Sequence, residues 1–378
     1  FPLSFGSYGL TACLSGKIQF YEQEVHMTNK RKSTQKTLIL GASLFALGLM
    51  LASPAQAQDA CEDGTGTDSL QCGDNADGSG DNSVAIGDNA EATGRDSTAV
   101  GENARASEER TVAIGQNAQA SATNSTAVGA FAGATGQNSS ALGVFSDAAG
   151  NNSTAAGFAA FADSENSSAF GAFATASSNS ATAVGTTARA TGLRSISIGA
   201  DGADAGTLGA VASGIDAIAI GVDSLASGED SVVVGNGAIA SALDSVAVGD
   251  LAEASGFLST AVGSASDARH EGASAFGGLA FADAVGATAI GNGSGARGMN
   301  SIALGTSVDA FADFSIAVGT AANAGEANSI AIGTTSFTDG INAIAIGANS
   351  EAVAQDAIAV GSASAASAAN ASAFGRID

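Results

Sequence analysis

The chain has 378 residues and a formal net charge of −24, with 51 Gly, 2 Pro and no Trp. So much Gly with so little Pro and no G-X-Y period excludes collagen, and a Gly every few residues costs a helix about 1 kcal/mol each, which argues against an α-helical fold. Every Lys (Lys17, Lys30, Lys32, Lys36) lies before residue 40 and Arg is sparse afterwards, which argues against nucleic acid and anionic bilayers as direct partners, since both need basic residues to neutralise phosphate.

Residues 1–26 lack an initiating Met and share no pattern with the rest, and they read as a doubtful upstream segment. From Met27 the chain runs MTNKRKSTQK, then TLILGASLFALGLMLA, then SPAQAQ. A basic stretch, an apolar stretch and an A-x-A site (Ala55-Gln56-Ala57) predict a signal peptide over 27–57, cut after Ala57. The apolar run falls short of the roughly 20 residues a membrane span needs, and an uncleaved anchor helix is the other reading. A lead-in over 58–67 follows. Export makes Cys61 and Cys72 a candidate disulfide; a metal pair is the rival, a poor one without a neighbouring His.

The rest of the chain repeats itself. NSVAIGDNAEATGR, Asn82 to Arg95, is followed by DSTAVGENARASEE, Asp96 to Glu109, and the phrase recurs to Gly375. The Gly that closes each S-x-A-x-G falls at Gly73, Gly87, Gly101 and so on in 22 copies, with a fourteen-residue step broken once, between Gly199 and Gly221. A fixed period is the signature of a solenoid, and fourteen residues is too few for a helical hairpin repeat of about 30 or more. It suits two short strands and two tight turns. The first strand is S-V-A-I-G and the second the A-x-A-x-G stretch after it, with Asn, Asp and Gly as turn formers. The expected fold is an all-β parallel solenoid of 14-residue coils over 68–378, about 100 Å long at about 4.8 Å per rung. ADGADAGT, residues 200–207, fits as an insertion at the turn between the two strands of one coil, either a tolerated loop or a feature of a binding face.

Alternation divides the faces. Two residues before the closing Gly stand Ala85, Ala99, Ala113 and Ala127, and small residues also dominate three and five after it. One or three residues before it stand large ones: Val84, Ile86, Val100, Ile114, Val128, Ile220, Val234, Ile290, Ile332 and Ile346. Two sheets lined by Ala and Ser can close on each other very tightly, which places this set inside; the large residues then form an outer apolar stripe too long for a monomer to leave in water, and identical chains would cover it. The reverse assignment, with Val and Ile inside, leaves a self-sufficient monomer. The alternation alone leaves both open.

NSVAIG (Asn82–Gly87), NSTAVG (Asn124–Gly129), NSIALG (Asn300–Gly305), NSIAIG (Asn328–Gly333) and NAIAIG (Asn342–Gly347), each followed by x-x-[AS]-x-A, resemble the head repeats of trimeric autotransporter adhesins of the YadA type. The resemblance implies a left-handed parallel β-roll, a side-by-side homotrimer, display on a Gram-negative outer membrane, and adhesion to extracellular matrix such as collagen, to cells or to other surfaces. Such adhesins continue into a neck, a coiled-coil stalk and a membrane anchor, so the full-length protein is expected to carry a C-terminal stalk and anchor.

Chemistry is sparse. His270, beside Arg269 and Glu271, has no fixed partner and reads as a solvated turn residue rather than a base. The scattered Asp lack the calcium nonapeptide, so neither enzyme, cofactor nor metal is expected. Phe131, Phe145, Phe158, Phe161 and Phe173 crowd into adjacent coils; three of them, Phe131, Phe145 and Phe173, share a position two past the closing Gly, which the two-strand reading puts on the outer side of the second strand. They read either as an apolar ligand strip or as a ladder stabilising the roll or a trimer seam. Two functions remain: a surface adhesin working through many weak contacts, and a secreted structural or surface-matching solenoid, ice-binding or coat-like. Thr98, Thr126, Thr154 and Thr182 favour the second, but they alternate irregularly with Val and Ile where a lattice-matching face should be uniform.

Overall fold

A computed structural model describes residues 61–202 and 208–375. The upstream segment 1–26, the signal peptide 27–57 and residues 203–207 of the insertion lie outside the described residues. All regular structure among the described residues is β: 22 strands of three residues alternate with 20 of two, behind one short leading strand, Glu62–Asp63.

Each coil makes one strand for each of two sheets. Three-residue strands such as Val84–Ile86 and Thr98–Val100 build sheet A. Two-residue strands such as Glu91–Ala92 and Arg105–Ala106 build sheet B. The coil strands pair in parallel with their counterparts in the adjoining coils: Ala85 opposes Ala99 in sheet A, and Ala92 opposes Ala106 in sheet B. The strands are shorter than the repeat suggests because each coil contains two turns with a residue in the left-handed region, where φ lies between +50° and +61° at non-Gly residues. One is two past the closing Gly (Asn89, Asn103, Asn117), the other nine past it (Asn82, Asp96, Asn124). Asn and Asp tolerate this conformation best after Gly. The closing Gly is demanded twice over: at Gly115 φ is +129°, and a Cβ there would stand 2.6 Å from the carbonyl carbon of Gly129 in the next coil.

Burial decides which face is inside. Ala85, Ala90 and Ala92, from both sheets of one coil, are wholly buried, and so are their counterparts up and down the stack. The interior is a column of methyl groups with the sheets closed tightly on it. Each coil buries about three of them, on the order of 2 kcal/mol at ~0.8 kcal/mol per carbon. Most of the coil's cohesion is therefore its hydrogen-bonded contact with its neighbours, as in other repeat stacks. Buried hydroxyls lock the corners from within: Ser195 Oγ donates to the carbonyl of Gly192 at 2.7 Å, and Ser146 Oγ to that of Gly143 at 2.8 Å. Where Ala gives way inside, Ser197 donates to the carbonyl of Ala210 at 2.6 Å, and Val233 fills the core directly.

The N-terminal edge of sheet A is covered. Glu62–Asp63 pairs antiparallel with Leu70–Cys72, and a disulfide joins Cys61 to Cys72. The insertion enters after Ile196–Ile198 of sheet A and rejoins at Val211–Ala212 of sheet B. Both strands keep their register with the coils beyond.

Candidate binding surfaces

Sheet A turns its large residues outward. Ile86, Ile114, Ile220, Val234, Ile290, Ile332 and Ile346 are 37–40% exposed, while Val84, Val100 and Val128 are half-buried by their neighbours. No charged residue stands in either outward column of sheet A from Leu70 to Phe374. The outward column of sheet B is mixed, running Glu91, Arg105, Gln119, Gly133, Asp147, Phe161, Thr175, Arg189. Burying the outward side of one Val or Ile that is already about 60% covered gains roughly 0.6–1.2 kcal/mol. Repeated over 22 coils, such a face is far beyond the few hundred Å² a monomer leaves bare.

Three of the phenylalanines are not on the second strand. Phe131, Phe145 and Phe173 occupy the left-handed turn position, with φ of +57°, +58° and +58°. The error has a physical cause: a bulky aromatic is a poor turn former, so nothing in its identity announces a turn, and only the Asn residues in the same place in earlier coils do. In the intervening coil Ala159 takes the left-handed position and the preceding residue, Phe158, carries the ring. Phe131 and Phe145 stack with centroids 5.1 Å apart, Phe145 meets Phe158 edge-on at 6.1 Å, and Phe158 meets Phe173 edge-on at 5.2 Å. Four rings from four successive coils thus form one ladder along the corner between the sheets, each about half exposed. Phe161 stands apart from them, on the outer face of sheet B. The left-handed conformation costs a side chain about 1–2 kcal/mol, and a ring pair returns about 0.5–1.5 kcal/mol. The ladder therefore contributes little net stability while holding its rings in water.

Beyond Phe173 the ladder runs into a shallow depression lined by Ala159, Phe173, Thr175, Thr187, Arg189 and Leu208. Arg95, Arg105, Arg194, Arg269 and Arg297 each pair with a carboxylate of a neighbouring coil. Arg189 has no carboxylate partner among the described residues. The acid on this side, Asp147, is held above the ordinary aspartate range by burial and then by Asp163.

A second aromatic group escaped the sequence reading. Arg269 lies over the ring of Phe281 at 4.6 Å, and Arg297 over Phe311 at 4.8 Å, while Asp267 and Asp309 neutralise the two cations. Its members come from four coils and stand at the first residue of a two-residue strand or just past its end, so it becomes legible only once the strand length is known. His270 is half exposed, with its Nε2 3.6 Å from a carboxylate oxygen of Asp283. Among the described residues no group of three or more His, Cys, Asp or Glu could hold a metal ion.

The opposite corner is polar in the early coils and apolar further along, at Leu193, Phe257, Leu258, Met299 and Phe314. Asn124, Asn138, Asn152 and Asn166 pass amide hydrogen bonds from coil to coil at 2.8, 3.1 and 3.3 Å.

A family model for the YadA head domain repeat, two copies long, matches residues 79–104, 106–132, 134–160, 148–174, 162–188, 176–201, 212–238, 226–252, 254–280, 282–307, 312–336, 324–350 and 339–364. No curated protein sequence matches the chain.

Proposed function

Because the chain belongs to the YadA head-domain family, an adhesin-type surface protein, we propose that it is the head of a homotrimeric adhesin in which three copies cover one another's sheet A. On this reading the roll is left-handed and the head stands at the surface of a Gram-negative outer membrane, on a stalk and anchor further along the full-length protein. It binds extracellular matrix such as collagen, cells or abiotic surfaces through many weak contacts repeated along its length. The observation that carries the proposal is the charge-free face of sheet A, whose column just before the closing Gly is apolar in every coil, set against the mixed face of sheet B. Identical chains in register are the one partner that offers a matching face at every coil.

Light scattering on the purified chain tests the assembly. The expected mass is three chains, and Ile220→Asp with Ile290→Asp should reduce it to one, since each buried charge would lack a partner. The trimer should then bind immobilised collagen or cell surfaces more tightly than the monomeric variant. A wild-type chain that stays monomeric and binds none of these surfaces would leave the secreted structural solenoid as the better reading.

A further inference from the structure

The apolar corner occupies only part of the stack. The two residues after the closing Gly are polar in the early coils: Asp74 and Asn75, Asp88 and Asn89, Glu102 and Asn103, Gln116 and Asn117. They become Ala130 and Phe131, Val144 and Phe145, Phe158 and Ala159, Ala172 and Phe173, return to Thr186 and Thr187 in the next coil, and beyond the insertion carry a large apolar residue only singly, at Val222, Leu251 and Leu279. A seam between identical chains in register would need the same corner at every coil, as sheet A provides. Self-association therefore does not account for this stretch. Nor does stability, because stacking merely offsets the left-handed backbone.

We propose that this corner, from Phe131 to Arg189, binds an extended peptide segment of a partner protein, with apolar side chains laid along the phenylalanine ladder and a carboxylate paired with Arg189. The site deepens the adhesin reading by naming a ligand class, but it lies outside sheet A and does not depend on the trimer. The chemistry is complementary at both ends. In a chain of net charge −24, the depression offers a guanidinium free of any described carboxylate, beside the apolar walls of Phe173 and Leu208. Guanidinium favours carboxylate through paired, charge-assisted hydrogen bonds. The four coil steps from Phe131 to Arg189 span about 19 Å, the reach of about six extended residues. Phe131 and Phe145 lie nearly parallel, 12° apart, and hide their faces against each other. Phe158 stands across both its neighbours, at 89° and 79°, so the ladder offers no continuous flat platform, which suits alkyl side chains better than sugar rings. A convex ridge cannot enclose a fatty acyl chain, whereas side chains spaced along a peptide can each settle against a ring.

The test uses the full chain and a fluorescein-labelled, C-terminally amidated octapeptide in which Leu alternates with Ser and the last residue is Asp. A second octapeptide ends in Asn. Phe145→Asn with Phe173→Asn removes two rings without endangering the fold, since Asn occupies the same position at Asn103 and Asn117. By fluorescence anisotropy the aromatic variant should weaken binding of both peptides at least tenfold. Arg189→Gln should weaken the Asp peptide about tenfold and leave the Asn peptide within about twofold. Absence of measurable binding to the wild-type chain overturns the proposal, as does equal loss of both peptides in Arg189→Gln. Dodecanoate binding at the ladder where neither peptide does would replace the peptide with a fatty acyl ligand. A collapse from trimer to monomer in the aromatic variant would assign the ladder to the seam instead.

Discussion

Replacing Gly115 with Ala asks whether the closing glycine is an accident of composition or a condition of the fold. Gly115 has φ +129°, and the new methyl would stand 2.6 Å from both the carbonyl carbon and the oxygen of Gly129 and 3.0 Å from the nitrogen of Ala130. All three are backbone atoms of the next coil and cannot swing aside. Ordinary contact near 3.5 Å requires the rung to open by about 0.9 Å. The hydrogen bond from Gly129 N to the carbonyl of Ile114, now 2.8 Å, would stretch past the limit at which it counts as one. Backbone strain of about 1–3 kcal/mol and one or two lost hydrogen bonds at about 0.5–1.5 kcal/mol each sum to roughly 4 kcal/mol. In a stack where each coil touches only its neighbours, that loss falls on one interface. The coils before Gly115 should melt apart from the rest as a separate, smaller transition in far-UV circular dichroism, with faster amide exchange confined to them. Gly133→Ala is the control. Its methyl meets nothing nearer than a carboxylate oxygen of Asp147 at 3.5 Å, so it should be neutral or stabilise by about 0.4–1 kcal/mol through the unfolded chain. If the two variants melted alike, the steric argument for the glycine column would be wrong.

Ala289→Leu forces a branched side chain between two closed sheets. It should cost about 3 kcal/mol in urea unfolding, because Ala289 is wholly buried and stacked on Ala275 and Ala303. Asp147 has its carboxyl raised by burial and then by Asp163, so the folded chain holds that proton more tightly than the unfolded one. Its contribution to stability is complete below the ordinary aspartate value, about 3.9, and is lost as pH rises through the raised value. Asp147→Asn should therefore shift the urea midpoint upward at pH 7 and leave it unchanged at pH 3. Cys72→Ser opens a short loop whose closure is worth about 3 kcal/mol; hydrogen exchange should rise over the first two coils and stay unaltered beyond Gly115.

The period was legible because nearly every coil meets the same surroundings. Ala85, Ser83 and Gly87 occupy environments that recur in each copy, so the sequence must repeat wherever the structure does. That Ala and Ser face inward was legible from their size rather than from the alternation. Ala and Ile alternate equally well in either sense, and only the close approach of the sheets, which leaves room for a methyl and rarely for Val233 or Val308, decides it. The aromatic corner was half legible: the ring positions stood in the sequence, but Phe at φ near +57° contradicts local propensity, and propensity was the guide. Glu62–Asp63 was missed because two acidic residues carry no alternation. Its strand exists through the pairing with Leu70–Cys72.

That short acidic strand has a further consequence. A stack of parallel rungs is its own template, and an open first rung would pair with any extended strand that met it. Glu62 and Asp63, both exposed, run the wrong way to continue the parallel ladder and offer an incoming strand two negative charges. The staple from Cys61 to Cys72 closes only where thiols oxidise. The first rung is thus blunted once the chain has reached an oxidising compartment, and reduction would free that edge to pair with other strands.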